Sequence, residues 1–93
     1  MSDVRGVAAA YGVCVELADL GDWASVTLVA EYDPDGPVIR VNERASLGHA
    51  IDHAIAHEIY HHREAIGEIP RIANRIDREC AADAFADDLV RAR

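Results

Sequence analysis

The sequence predicts an α+β domain: an N-terminal helix, a small three-stranded antiparallel sheet, then two longer helices. Three observations predict it. Apolar residues recur with a period of two between positions 13 and 41, and with a helical period on either side of that region. The stretch Asp33-Pro34-Asp35-Gly36 has the chemistry of a tight turn and makes a hairpin of its flanks. Gly12, Gly67 and Pro70 punctuate the helical stretches.

In order, residues 3 to 11 place Val4, Val7, Ala8 and Tyr11 at helical spacing, with Gly12 as the stop. Val13, Val15 and Leu17 alternate with Cys14 and Glu16, a first strand. After the polar break Gly21-Asp22, Val26, Leu28, Ala30 and Tyr32 alternate with Ser25, Thr27 and Glu31, a second. Val38, Ile39 and Val41 mark a third beyond the turn. Ser46 is positioned to cap a helix over about 47 to 66, ended by Gly67 and Pro70. A last helix is expected over about 71 to 91.

Ninety-three residues, 51% of them hydrophobic, suit one small core, so residues 1–93 are read as a single domain. The apolar runs VAAAY and VTLVA are too short to span a membrane, and the N-terminus MSDVRGVAAAYG does not read as a secretion signal. A cytoplasmic protein is the expectation. Cys14 and Cys80 are too few for a disulfide scaffold and read as small buried hydrophobes. A net charge of −8 argues against direct nucleic-acid binding, which needs clustered Lys or Arg.

The chemistry concentrates in HAIDHAIAHEIYHH, which holds all five histidines: His49, His53, His57, His61 and His62. The first four stand one helical turn apart, so each neighbouring pair has the spacing for two imidazoles to reach one metal ion. Only His57 and His61 enclose a glutamate placed as in HExxH. Two such histidines bind Zn²⁺, and Glu58 between them reaches a water held by the metal without becoming a ligand, as a general base does. On a helical wheel Glu58 falls within the stripe of Leu47, Ile51, Ala54, Ile55 and Ala65, a costly place for an uncompensated carboxylate. His49, His53 and His62 read as surface histidines or as supports of a ligand.

A catalytic zinc keeps three protein ligands and one open position. No histidine follows His62, which leaves carboxylates or Cys80 for the third. On the last helix Ile72, Ile76, Ala86 and Val90 form an apolar stripe, with Glu79 and Asp83 projecting into its middle. That placement assigns Glu79 as third ligand and Asp83 as the acceptor behind His57, since a ligand histidine needs a partner on its other nitrogen.

HExxH followed by ExxxD on a second helix is the pattern of gluzincin metallopeptidases. More closely, YDPDGPVIRVNERAS, AIDHAIAHEIYHH and ECAADAFADDLV resemble ImmA/IrrE-like metallopeptidases over roughly residues 25 to 90. The resemblance implies a minimal zincin-like core, one Zn²⁺ per chain on His57, His61 and Glu79, and Glu58 as catalytic base. It implies a protein or peptide substrate, a regulatory protein such as a transcriptional repressor. Tyr60 stands where the family commonly has the glycine of HELGH, and Ala81 where it has a second glutamate. The expected function is zinc-dependent peptide hydrolysis; the alternative is a metal-stabilised module that sequesters a regulator without cutting it. Tyr60 and His62 are candidates to stabilise the oxyanion by proximity.

Overall fold

The structure, a computed structural model, describes residues 4–19, 30–42 and 48–91, the side chains of 48–50 excepted. Ser25 to Val29 of the expected second strand, the cap Ser46, Leu47 and the side chain of His49 therefore lie outside the described residues.

Helix α1 runs Val4–Ala10, followed by strands β1 (Cys14–Ala18), β2 (Ala30–Asp33) and β3 (Val38–Asn42), then helices α2 (Gly48–Ala65) and α3 (Arg75–Arg91). Both glycine stops act as such. Gly12 and Gly67 hold φ of 75° and 79°, open to glycine at no steric cost. Each closes its helix with the same bond pair, Val13 N to Ala8 O (2.9 Å) with Gly12 N to Ala9 O, and Glu68 N to Arg63 O (2.9 Å) with Gly67 N to Glu64 O. These are Schellman closures, which satisfy carbonyls a helix end leaves orphaned.

The start of α3 differs from the expectation of about 71. Asn74 Oδ1 accepts the backbone N–H of Asp77 at 3.1 Å, so Asn74 is the N-cap and the helix begins at Arg75. That leaves Ile72 ahead of the helix. Ile76 is 73% exposed, and the buried residues of α3 are Ala82, Ala86 and Val90. The stripe expected through Ile72 and Ile76 is therefore rotated toward Ala82. Glu79 lies half-buried at its border and Asp83 is exposed, rather than both projecting into its middle.

The sheet has the order β1-β3-β2 and is mixed, not antiparallel. The hairpin forms as expected: β2 and β3 pair antiparallel from Ala30↔Val41 to Asp33↔Val38, and Asp33 Oδ1 accepts the N–H of Asp35 in the turn. Strand β1, however, runs parallel to β3 on its far side, from Cys14↔Val38 to Ala18↔Asn42. Alternation tells which face a strand buries, and says nothing of the direction of its neighbour.

On one face of β3, Ile39 and Val41 are buried; on the other, Arg40 meets its opposite numbers Glu16 and Glu31, together with Asp33. Edge strand β1 is less well covered: Leu17 is 70% exposed despite its inward parity. Both cysteines are exposed and free, which corrects the reading of them as buried hydrophobes. A single cluster joins Val4 and Ala8 of α1, Val13, Ile39 and Val41 of the sheet region, Ile55, Ala56 and Ile59 of α2, and Ala86 and Val90 of α3. Helix α2 is its hub, touching α1, α3, β2 and β3. Its buried face runs through Ile55, Ala56, Ile59 and Tyr60, while Ala65, expected on that face, is exposed. Among the described residues no helix is long and apolar enough to cross a membrane.

Candidate metal centre

Helices α2 and α3 lie antiparallel, and each step of four along α2 is answered by a step of four back along α3. His53 Nε2 stands 2.9 Å from Asp87 Oδ1, His57 Nδ1 2.7 Å from Asp83 Oδ1, and His61 Nε2 3.2 Å from Glu79 Oε2. Antiparallel pairing with side chains spaced by one turn produces this ladder of imidazole against carboxylate.

At the lower rungs three donors meet. His57 Nε2 is 3.2 Å from His61 Nε2 and 3.1 Å from Glu79 Oε1, and His61 Nε2 is 3.2 Å from Glu79 Oε2. His57, His61 and Glu79 are thus close enough together to hold one metal ion. Ligand atoms bound at 2.0–2.1 Å in a tetrahedron stand about 3.3 Å apart, and these three are spaced nearly so.

The hydrogen-bond roles make the fit sharper. His57 Nδ1 faces Asp83, and His61 Nδ1 faces Glu64 Oε1 at 2.9 Å. An ionised carboxylate only accepts, so each ring carries its hydrogen on Nδ1. Both Nε2 atoms are then lone-pair acceptors, aimed at each other and at a third acceptor, the Glu79 carboxylate. Three acceptors facing one point repel unless a cation lies between them, either a proton on one ring or a metal ion. The residues fit Zn²⁺, with two borderline nitrogens, one carboxylate oxygen and a carboxylate behind each ring.

Glu58 follows His57 directly and is half-buried. Desolvation pushes its carboxyl above the usual range; His61 and His57 pull it down, while Glu79 and Glu31 push it further up. A carboxylate that resists ionisation here is one that takes a proton readily.

The remaining residues singled out from sequence separate by role. His53 pairs with Asp87 one turn above the centre and is not among the three converging donors. His62 is buried at 4% exposure, with Nδ1 2.7 Å from Tyr32 Oη and its ring edge-on to Tyr11 and Tyr32. Tyr60 is buried against Phe85 and the edge of His61. Both are held by packing. The residue that sequence reasoning did not place is Glu64, behind His61. Its position one turn after His61 is the signal that marks it as the partner of that ring.

The chain matches no protein-family model, no curated protein and no solved structure.

Proposed function

We propose that this protein is a zinc-dependent hydrolase, and within that class a peptidase of the ImmA/IrrE-like kind acting on a regulatory protein such as a repressor. The observation that carries the reading is the convergence of His57 Nε2, His61 Nε2 and Glu79 on one point while each histidine is held from behind by a carboxylate. His57, His61 and Glu79 would hold the ion, one per chain. When bound, Zn²⁺ supplies Lewis acidity that polarises a scissile carbonyl and eases deprotonation of water.

The chain's own residues supply the rest. Asp83 and Glu64 fix the tautomer and orientation of the two rings. Glu58 takes the proton of the attacking water on its carboxylate and returns it to the leaving amine. Desolvation of the Glu58 carboxyl strengthens its hold on that proton.

The test is metal content of the purified protein beside Glu79→Ala, followed by peptide cleavage with Glu58→Gln. One zinc per chain, lost in Glu79→Ala, is the expected result; a well-folded protein without tightly bound metal overturns the reading. Glu58→Gln is expected to keep its zinc and stop cleaving. Cleavage by neither protein, with partner binding kept by both, would identify a sequestering module instead.

A further inference from the structure

Beside the centre, a cleft of about 220 Å³ runs along the flank of His61. Tyr32 of β2 lines it, with His61, Glu64 and Ala65 of α2, Arg71 ahead of α3, and Arg78 in the first turns of α3. The volume lies below the ~300–1,000 Å³ of sites that enclose a whole small molecule, and suits one side chain.

Two features of the walls bear on what the cleft holds. Arg5, Arg40 and Arg63 are each paired with a carboxylate. Arg71 and Arg78, like Arg75 and Arg91 on the outside of α3, have no such partner among the described residues, but only Arg71 and Arg78 line the cleft. Two free guanidiniums in one cleft of so acidic a protein are an anion site by their chemistry. The second feature is Glu64, whose side chain is only 6% exposed. Its Oε1 accepts from His61, but its Oε2 is buried with no hydrogen-bond partner. A buried acceptor left unmet is costly, so Glu64 Oε2 has a place for one donor.

A carboxylate with an N–H close by answers both features, and an acidic residue in a peptide carries the two together. We propose that this cleft is the subsite for an aspartate or glutamate next to the scissile bond: Arg71 and Arg78 hold its side-chain carboxylate, and Glu64 Oε2 accepts a main-chain N–H of the substrate. The proposal rests on the zinc-peptidase reading, and it names the substrate class of that site. A lysine or arginine in the same place meets two like charges at the walls. Elsewhere along the substrate the chain's net charge of −8 disfavours acidic residues, so the preference is local to this position.

The test uses the zinc-loaded full chain and three short peptide hydroxamates, whose hydroxamate binds metal and whose adjacent residue is Glu, Gln or Lys. Wild type is expected to bind the Glu probe about tenfold more tightly than the Gln probe, as one good charge-assisted pair allows. Arg71→Ala/Arg78→Ala should erase that gap while still binding the Gln probe and one zinc. Arg71→Glu/Arg78→Glu should turn the preference to Lys. Zinc content and circular dichroism of each variant show that the fold is kept. Equal binding of all three probes, or a Lys preference in wild type, overturns the subsite and leaves the metal centre standing. A folded wild type that takes up no zinc overturns the zinc reading, and the subsite with it.

Discussion

Glu58 shows at the scale of one residue how stability and chemistry oppose each other. Its carboxyl is held above the usual range, chiefly by desolvation. Between its ordinary value of 4.5 and the raised folded value, the native state binds more protons than the unfolded state. Stability therefore falls as pH rises through that window, and the full cost is present above it. Metal-free Glu58→Gln carries no such charge. It is expected to melt higher than metal-free wild type at pH 7, with the difference shrinking as pH falls toward and below 4.5. Thermal melts in chelator across pH check this; a difference independent of pH would mean the gain comes from shape and not from charge. Glu58 was legible in the sequence because a carboxylate inside an apolar helical stripe is an anomaly at any fold. Cys14 and Cys80 were misread because exposure depends on what covers a position, and nothing in a single residue encodes that.

The unit that matters at the scale of elements is the antiparallel pair α2 and α3. Their ladder ranks its rungs by distance from the centre. Asp83 touches a ring whose other nitrogen joins the three converging donors, so Asp83→Asn is expected to weaken zinc binding about 10- to 100-fold. Among the described residues Asp87 pairs with His53 alone, one turn away, so Asp87→Asn should leave zinc affinity unchanged. Zinc titrations against a competing chelator measure both. Equal losses in the two variants would mean that the rungs act together by holding the helices in place. The pairing of Glu79 and Asp83 with the histidine helix was readable from spacing, since i and i+4 share a face. The reason drawn from sequence was partly mistaken, because Asn74 starts α3 later than expected and Ile76 faces solvent. The carboxylates flank the buried stripe of Ala82, Ala86 and Val90 instead of interrupting it. At the border they reach the histidines without being sealed from water.

For the whole molecule, small size sets the energetics. Its core is a single cluster with alanines at the helix contacts, including Ala8, Ala56 and Ala86. A metal ion joining α2 to α3 would add stability that so small a core supplies only in part. At a hundredfold excess over Kd, zinc contributes about 2.7 kcal/mol. For a chain of this length that raises Tm by on the order of 10–20 °C. Calorimetry with zinc and with chelator is expected to show this shift in wild type and its absence in Glu79→Ala. An equal shift in both proteins would place the stabilising ion elsewhere.

The sequence by itself determined the order of elements, the two glycine-closed helix ends, the hairpin at Asp33-Pro34-Asp35-Gly36, and the histidine and carboxylate spacings that bring one-turn neighbours onto shared faces. All of these are local: φ preferences, periodicity and hydrogen bonds act within a few residues. Only the tertiary structure decided that β1 joins β3 in parallel, that α3 turns Ala82 inward and Ile76 outward, that Glu64 stands behind His61, and that Arg71 and Arg78 meet in one cleft. Each depends on which distant segments lie side by side, and packing chooses that over the whole chain at once.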